Sequence, residues 1–306
     1  MEKPKIILQI DCDSEIALSA HYSYTSYAFG YEVYYNALNV FQSLLSQYNL
    51  KATFFVVGKD LENKEKCDKL KNLILYGHEV ANHTYSHPNC LSKMLSSEIR
   101  EEIEKTNQIC LEKLGVAPKG FRAPNFDISL NVLNVLDDMG FYYDCSILFS
   151  PWKPILKLFK GYNPFKAGYL GKNNLFFSRK YPYNPKINKQ GTNFCKGTII
   201  EIPITTFPYI KFPCNFSYLL AMPKSLGYGV FRKLFRWHQK KNNPLVFIFH
   251  LADLIDNQYL FKTEAKYYKS LEERLFFIGD IFKTIADDFE SITTYEYLKS
   301  LQGDKL

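Results

Sequence analysis

Lys5-Ile6-Ile7-Leu8-Gln9-Ile10-Asp11-Cys12-Asp13 is the stretch on which the reading of the fold turns. Its nearly continuous apolar, β-branched run marks a strand buried on both faces, as in a parallel sheet. It ends in two carboxylates two residues apart, whose side chains leave an extended backbone on the same side. One of the pair is able to ligate a metal while the other stays free as a base. A pair of loop-capping aspartates is the alternative, since Asp is common in turns.

Outward from this strand the pattern alternates. Tyr34 to Tyr48 spaces Leu38, Phe41, Leu44 and Leu45 as a helix does. Ala52 to Gly58 reads as a strand, Glu62 to Tyr76 as a helix, His78 to Ala81 as a short strand. Ser92 to Leu114 is a helix stopped by Gly115. Lys119 to Arg122, Ser129 to Met139 and Tyr142 to Cys145 continue as strand, helix and strand. Thr198 to Thr205 and Pro244 to Phe249 are later strands; Lys224 to Lys241 and Glu264 to Asp288 are later helices. Such alternation implies an α/β fold with a parallel sheet and crossover helices. The prolines, glycines and asparagines of residues 151–197 predict an irregular elaboration, with one strand at Asn174 to Ser178. No repeat or linker divides the chain, so residues 1–306 read as one domain.

The 306 residues are 46% hydrophobic, enough for a sizeable core. The net charge of +7 is spread out, a solvated surface and not a nucleic-acid footprint. Seven scattered cysteines with no CxxC pair argue against a disulfide framework and a cysteine zinc site. With no signal-peptide pattern and no apolar run of ~18 residues, the expectation is a reduced, cytoplasmic protein without a spanning helix. Aromatics, 16% of the chain, read first as core and second as a sugar- or lipid-contacting surface. The basic helix Lys224 to Lys241 reads first as packed with a solvated face, and second as a peripheral membrane contact. Oligomeric state is not legible.

Two further clusters sit at strand ends. His83-Thr84-Tyr85-Ser86-His87 places two imidazoles four apart, a spacing that lets both reach one metal on helical backbone. A surface histidine pair is the alternative. His250 ends the run Val246-Phe247-Ile248-Phe249, where a satisfied core histidine is as natural as a catalytic one. Arg122, in Gly120-Phe121-Arg122-Ala123-Pro124-Asn125-Phe126, fits a clamp on a catalytic carboxylate and equally a surface turn.

Together, Asp-x-Asp, Thr-Phe-Phe, His-x-x-Ser-His, Arg-x-Pro and a late Phe-x-Phe-His resemble the polysaccharide deacetylases, carbohydrate esterase family 4, with their NodB homology domain. The resemblance runs from about Lys5 to Asp256 and is densest over Gly77 to Pro88. Gly120 to Ile128, Tyr143-Asp144-Cys145-Ser146 and Gly227 to Arg232 are similar to the branch found with exosortase and exopolysaccharide systems. The resemblance implies a distorted (β/α)7 barrel of the NodB homology type. It implies a divalent metal, usually zinc, on Asp13, His83 and His87, with Asp11 as general base and His250 as general acid. Arg122 would hold Asp11, and Asp144 would orient His250. Asn125, through its backbone N–H, and Pro124 would lie against the substrate. The chain departs from the family in three places. Asp11-Cys12-Asp13-Ser14-Glu15 spaces ligand and base by two residues instead of one, with Glu15 as a substitute ligand. No Trp follows Asp144. Leu251-Ala252-Asp253 stands where the exosortase-linked branch has Pro-Trp-Glu.

The function implied is removal of an N-acetyl group from a sugar during assembly of a surface polysaccharide or glycolipid. Substrate would be an N-acylated sugar, glycan or glycolipid met in the cytoplasm or at the inner face of the membrane. A deformylase acting on a lipid-linked aminosugar and a non-catalytic glycan-binding relative are the alternatives.

Overall fold

The computed structural model describes residues 2–13, 31–147, 181–185, 199–207, 213, 215–255 and 269–302. In chain order the strands are β1 (Lys5–Asp11), β2 (Thr53–Val56), β3 (Glu79–Asn82), β4 (Gly120–Phe121), β5 (Tyr143–Asp144), β6 (Ile200–Glu201), β7 (Leu245–His250) and β8 (Glu290–Ile292). The helices are α1 (Tyr31–Gln47), α2 (Lys64–Leu75), α3 (Ser96–Leu114), α4 (Leu130–Asp138), α5 (Phe216–Ala221), α6 (Lys224–Lys241), α7 (Leu271–Asp288) and α8 (Thr294–Gln302).

Strands run in the order β6-β5-β4-β3-β2-β1-β7, and β8 pairs with β1 beside that path. All the ladders are parallel. This curled parallel half-barrel is the α/β NodB-type fold that the resemblance implied, with eight strands among the described residues where a seven-stranded distorted barrel was expected. Its two lips are tied by irregular backbone: the Val246 N–H donates to Thr205 Oγ1 at 2.8 Å, and the Thr205 N–H to the Val246 carbonyl at 3.3 Å.

The period of two in β1 decides what faces what. Ile6, Leu8 and Ile10 enter the core under the helices, with Phe41, Phe216, Phe231, Phe247, Phe249, Phe277 and Phe282. Ile7 joins Phe55, Ala81, Tyr143 and Cys145 on the opposite face, inside the curl. Gln9 and Asp11 share that inward side. Each fully buried Phe contributes roughly 1.5–3 kcal/mol through area removed from water, so the outer layer holds the strand firmly. The aromatics of the described residues are thus largely core. In α6 Gly227, Phe231, Leu234, Phe235 and His238 are buried while Lys224, Arg232, Lys233, Arg236, Lys240 and Lys241 face solvent.

Local chemistry sets the ends of the elements. Asn63 caps α2 and Ser129 caps α4 through side-chain oxygens. Ser270 and Glu273 form a capping box that starts α7 at Leu271, later than the expected Glu264; residues 256–268 lie outside the described ones. Gly115, with φ 74°, ends α3 as its position predicts. The strand expected over Thr198 to Thr205 pairs only at Ile200–Glu201, because Pro203 has no N–H to continue a ladder. The strand expected at Asn174 to Ser178, Glu15 and nearly all of the 151–197 elaboration lie outside the described residues; Tyr183 bridges Glu201 antiparallel. The short α5, β8 and α8 were not expected. None of the described helices is long and apolar enough to cross a membrane.

Candidate active site

Register brings the three sequence clusters to one rim. Asp11, the last residue of β1, is the register partner of Phe55 on one side and of His250 on the other. The Arg122 N–H donates to the Asn82 carbonyl at 3.0 Å, so β4 delivers Arg122 beside the end of β3, where His83 begins its loop.

Arg122 has no exposed surface, and each of its three guanidinium nitrogens donates a hydrogen bond. Nη1 donates to Asp11 Oδ1 at 2.5 Å, Nη2 to Gln9 Oε1, and Nε to the Cys145 carbonyl at 3.1 Å. Its plane lies 4.1 Å from the Phe55 ring. Asp11 is only 3% exposed, so its charge depends on this pairing. The clamp reading of Arg122 is therefore the one the geometry favours over a surface turn. Gln9 was missed by the sequence reading, although it lies two residues before Asp11 and so on the same face of β1.

His83 and His87 leave β3 on a loop, not on the helical turn that their spacing suggested. Thr84 (φ 65°) and His87 (φ 56°) are left-handed, a conformation unfavourable for residues with a Cβ. Glu102 on α3 holds that loop, accepting from the Tyr85 N–H at 3.0 Å, the Ser86 N–H at 2.8 Å and the Ser86 hydroxyl at 2.8 Å. The His83 Nδ1–H donates to the Arg122 carbonyl at 2.7 Å, which leaves Nε2 with its lone pair. His83 Nε2 and His87 Nε2 each lie 3.4 Å from Asp13 Oδ1. One ligand atom from each of Asp13, His83 and His87 lies within 4.8 Å of the others.

These residues fit a divalent cation. Asp13 Oδ1 is buried, and among the described residues it meets only the two imidazoles, each at 3.4 Å. Burial disfavours an imidazolium at His83, yet the Asp13 hydrogen bond and the Asp11 charge raise its pKa, so the pocket attracts positive charge. Burial likewise raises the Asp13 carboxyl, but its bonds to His83 and His87 outweigh that and hold it well below the usual carboxylate range. Two nitrogen donors and one carboxylate form a ligand set suited to zinc.

His250 Nε2 stands 3.5 Å from Asp11 Oδ2, the oxygen that Arg122 leaves free. Its Nδ1 lies 3.2 Å from Ser217 Oγ and 3.9 Å from Asp253 Oδ2. Asp144 is not brought to His250, which corrects the orienting role expected of it. The Ser146 hydroxyl donates to Asp144 Oδ1 at 2.5 Å, and Glu201 hydrogen-bonds the same carboxyl. Burial, followed by the Asp144 charge, pushes the Glu201 carboxyl well up, and burial raises Asp144 as well. Asp253 was signalled by its place three residues after His250; nothing in the sequence marked Ser217. Pro124 and Asn125 lie on the turn after β4, where Asn125 is left-handed (φ 55°) and its side chain donates to Asn89 Oδ1 at 3.5 Å.

Residues 29–143 match the family model described as polysaccharide deacetylase. That span includes His83, His87, Arg122, Pro124 and Asn125; Asp11, Asp13, Asp144 and His250 lie outside it. A peptidoglycan-N-acetylglucosamine deacetylase of Bacillus cereus is 43% identical over 98 residues, 32% of this chain and 34% of that protein. Chitin deacetylase 1 of Cryptococcus neoformans is 35% identical over 96 residues, 31% of this chain and 20% of that protein. The matches thus span about a third or less of those relatives. A solved structure from Mycobacterium smegmatis, assigned as a polysaccharide deacetylase, superposes with a TM-score of 0.63. It covers 100% of this chain and 93% of its own at 15% identity, a likeness of fold.

Proposed function

The chain belongs to the polysaccharide deacetylase family, and from that premise we propose that it is a metal-dependent amide hydrolase. In this reading it removes the acetyl group of an N-acetylated sugar in a surface polysaccharide or glycolipid under assembly. The observation that carries the reading is a single rim of parallel-strand ends. It holds a cation-attracting Asp13, His83 and His87 set, a carboxylate clamped by arginine, and an imidazole on that carboxylate's free oxygen.

Asp13, His83 and His87 would hold the metal, with zinc the ion that suits them. When bound, it polarises the amide carbonyl and acidifies water at the site. The remaining work belongs to side chains. Arg122 occupies Asp11 Oδ1, so Oδ2 is the oxygen left to accept a proton from the attacking water. His250 gives its Nε2 proton to the leaving amine. The 3.5 Å approach of Asp11 Oδ2 to Nε2 then lets the captured proton return to the ring. One water is consumed: its hydroxyl joins the acyl carbon, and its proton replaces the one delivered to nitrogen. The Asn125 N–H and Pro124 line the acyl side, and Arg122 holds Asp11 in place while Oδ2 takes up and returns the proton.

The test is metal stoichiometry and acetate release from N-acetylchito-oligosaccharides. Wild type binds one zinc and releases acetate. Asp11→Asn keeps zinc and loses about 10²–10⁴-fold in kcat. His83→Ala loses the zinc; equal zinc binding by that variant would sink the ligand assignment. Formate release from N-formyl sugars in the same assay identifies a deformylase. Zinc binding with turnover of neither substrate favours a glycan-binding role.

A further inference from the structure

His250 is held from the side away from Asp11. The Ser217 hydroxyl donates its one proton to Asp253 Oδ1 at 2.7 Å, while Ser217 Oγ lies 3.2 Å from His250 Nδ1. Toward the ring that oxygen is therefore an acceptor, and Nδ1 carries a hydrogen. The other carboxylate oxygen of Asp253 accepts the His250 backbone N–H at 2.8 Å. Arg274 on α7, which has no exposed surface, pins the turn below: it donates to the Asp253 carbonyl at 2.6 Å and to the Ile255 carbonyl at 2.5 Å. Ser217 is equally fixed. It lies in the first turn of α5, which is capped by the Asn215 side chain, and Asn215 bridges Ile248 of β7.

We propose that Asp253, acting through Ser217, is the positioning carboxylate of His250, in the role that the family resemblance assigned to Asp144. The inference rests on the reading of His250 as the general acid. Through Ser217, Asp253 fixes the Nδ1 hydrogen and turns Nε2 toward Asp11 and the leaving amine. Burial raises the Asp253 carboxyl and His250 draws it back down, so carboxylate and ring charge support each other. Among the described residues, the charged groups around the ring are Asp11 at Nε2 and Asp253 at Nδ1; Arg122 lies behind Asp11 and Arg274 behind Asp253. When Nε2 gives its proton to the amine, the neutral ring keeps Nδ1–H on Ser217, and no proton passes to Asp253. A nucleophilic role for Ser217 does not fit this arrangement. Its proton is committed to Asp253, and the nitrogen beside it already bears a hydrogen.

The test titrates His250 directly. In zinc-loaded protein labelled with ¹⁵N-histidine, His250→Gln identifies the resonance, and wild type, Asp253→Asn, Ser217→Ala and Asp144→Asn are followed against pH. The expected result is a fall of about one pH unit or more in the His250 pKa for Asp253→Asn. A smaller fall in the same direction is expected for Ser217→Ala, and none for Asp144→Asn. With N-acetylchito-oligosaccharides the alkaline limb of kcat/KM moves down with the ring, because the acid loses its proton at lower pH. kcat near neutrality falls about 10-fold or more, while KM and zinc content stay near wild type. Unmoved titration in Asp253→Asn, or a shift in Asp144→Asn instead, overturns the proposal. So does a Ser217→Ala protein that is inactive with its ring titration unchanged. Should Asp253→Asn fail to fold, Ser217→Ala carries the same decision. Absence of turnover by wild type would count against the hydrolase, while the ring titration still decides the role of Asp253.

Discussion

Arg122 shows how much one side chain settles. Its three nitrogens reach acceptors on two strands: Asp11 and Gln9 of β1, and the Cys145 carbonyl just past β5. Lysine offers a compact ammonium in place of that planar fork and cannot satisfy all three. Arg122→Lys is expected to lower kcat about 10²-fold, through loss of alignment at Asp11, with KM within about threefold and zinc content unchanged. Steady-state kinetics beside metal analysis check this; full activity in the lysine variant would mean that charge alone holds Asp11. From Arg-x-Pro at a strand end a clamp and a surface turn were equally open, and only the family resemblance pointed to the clamp. Its second partner, Gln9, was legible only as a residue on the same face as Asp11. The structure supplies the reason Gln9 is polar: Nε2 donates to Cys145 Sγ and to Thr294 Oγ1, both at 3.2 Å.

At the scale of elements, the loop after β3 carries two expected metal ligands on backbone that no spacing rule foresaw. Helical geometry would place positions i and i+4 on one face. Here left-handed Thr84 and His87 do the same work, and α3 supports them from outside through Glu102. Glu102→Ala leaves the Tyr85 and Ser86 N–H groups without their acceptor, so the loop relaxes from a strained shape. The expected outcome is a zinc affinity about 10–100-fold weaker, measured by competition with a chromophoric chelator, with helix content unchanged. Wild-type affinity would mean that the strand end alone sets the histidines. The close packing of β4 on β5 is equally an element-scale fact. A Cβ on Gly120 would come within 1.8 Å of the Tyr143 ring, which is why a glycine opens that strand.

The whole molecule is a curled parallel sheet whose inner face carries a polar ladder beneath the site. Thr294, at the start of α8, donates its hydroxyl to Thr53 Oγ1 at 2.8 Å and accepts from Gln9. Thr53 in turn donates to Glu79, which also receives the Tyr143 hydroxyl at 2.7 Å and the Tyr295 N–H at 3.0 Å. Burial raises the Glu79 carboxyl against these three bonds. The C-terminal segment thereby closes one end of the curl and reaches Arg122 through Gln9. Thr294→Val, of similar shape but unable to hydrogen-bond, is expected to cost about 1–3 kcal/mol in urea unfolding of the zinc-loaded protein. No change in the midpoint would show that α8 docks through its apolar side alone. By itself the sequence determined the α/β class and the strand-end location of Asp11, Asp13, His83, His87 and His250. Those follow from local period, apolar runs and motif order, which act within a few residues. Tertiary structure alone decided that Ser217 links Asp253 to His250 while Asp144 lies beside Ser146 and Glu201, and that β8 and α8 complete the curl. Such pairings depend on which strands become neighbours, and register across the sheet is not encoded in the spacing along any one strand.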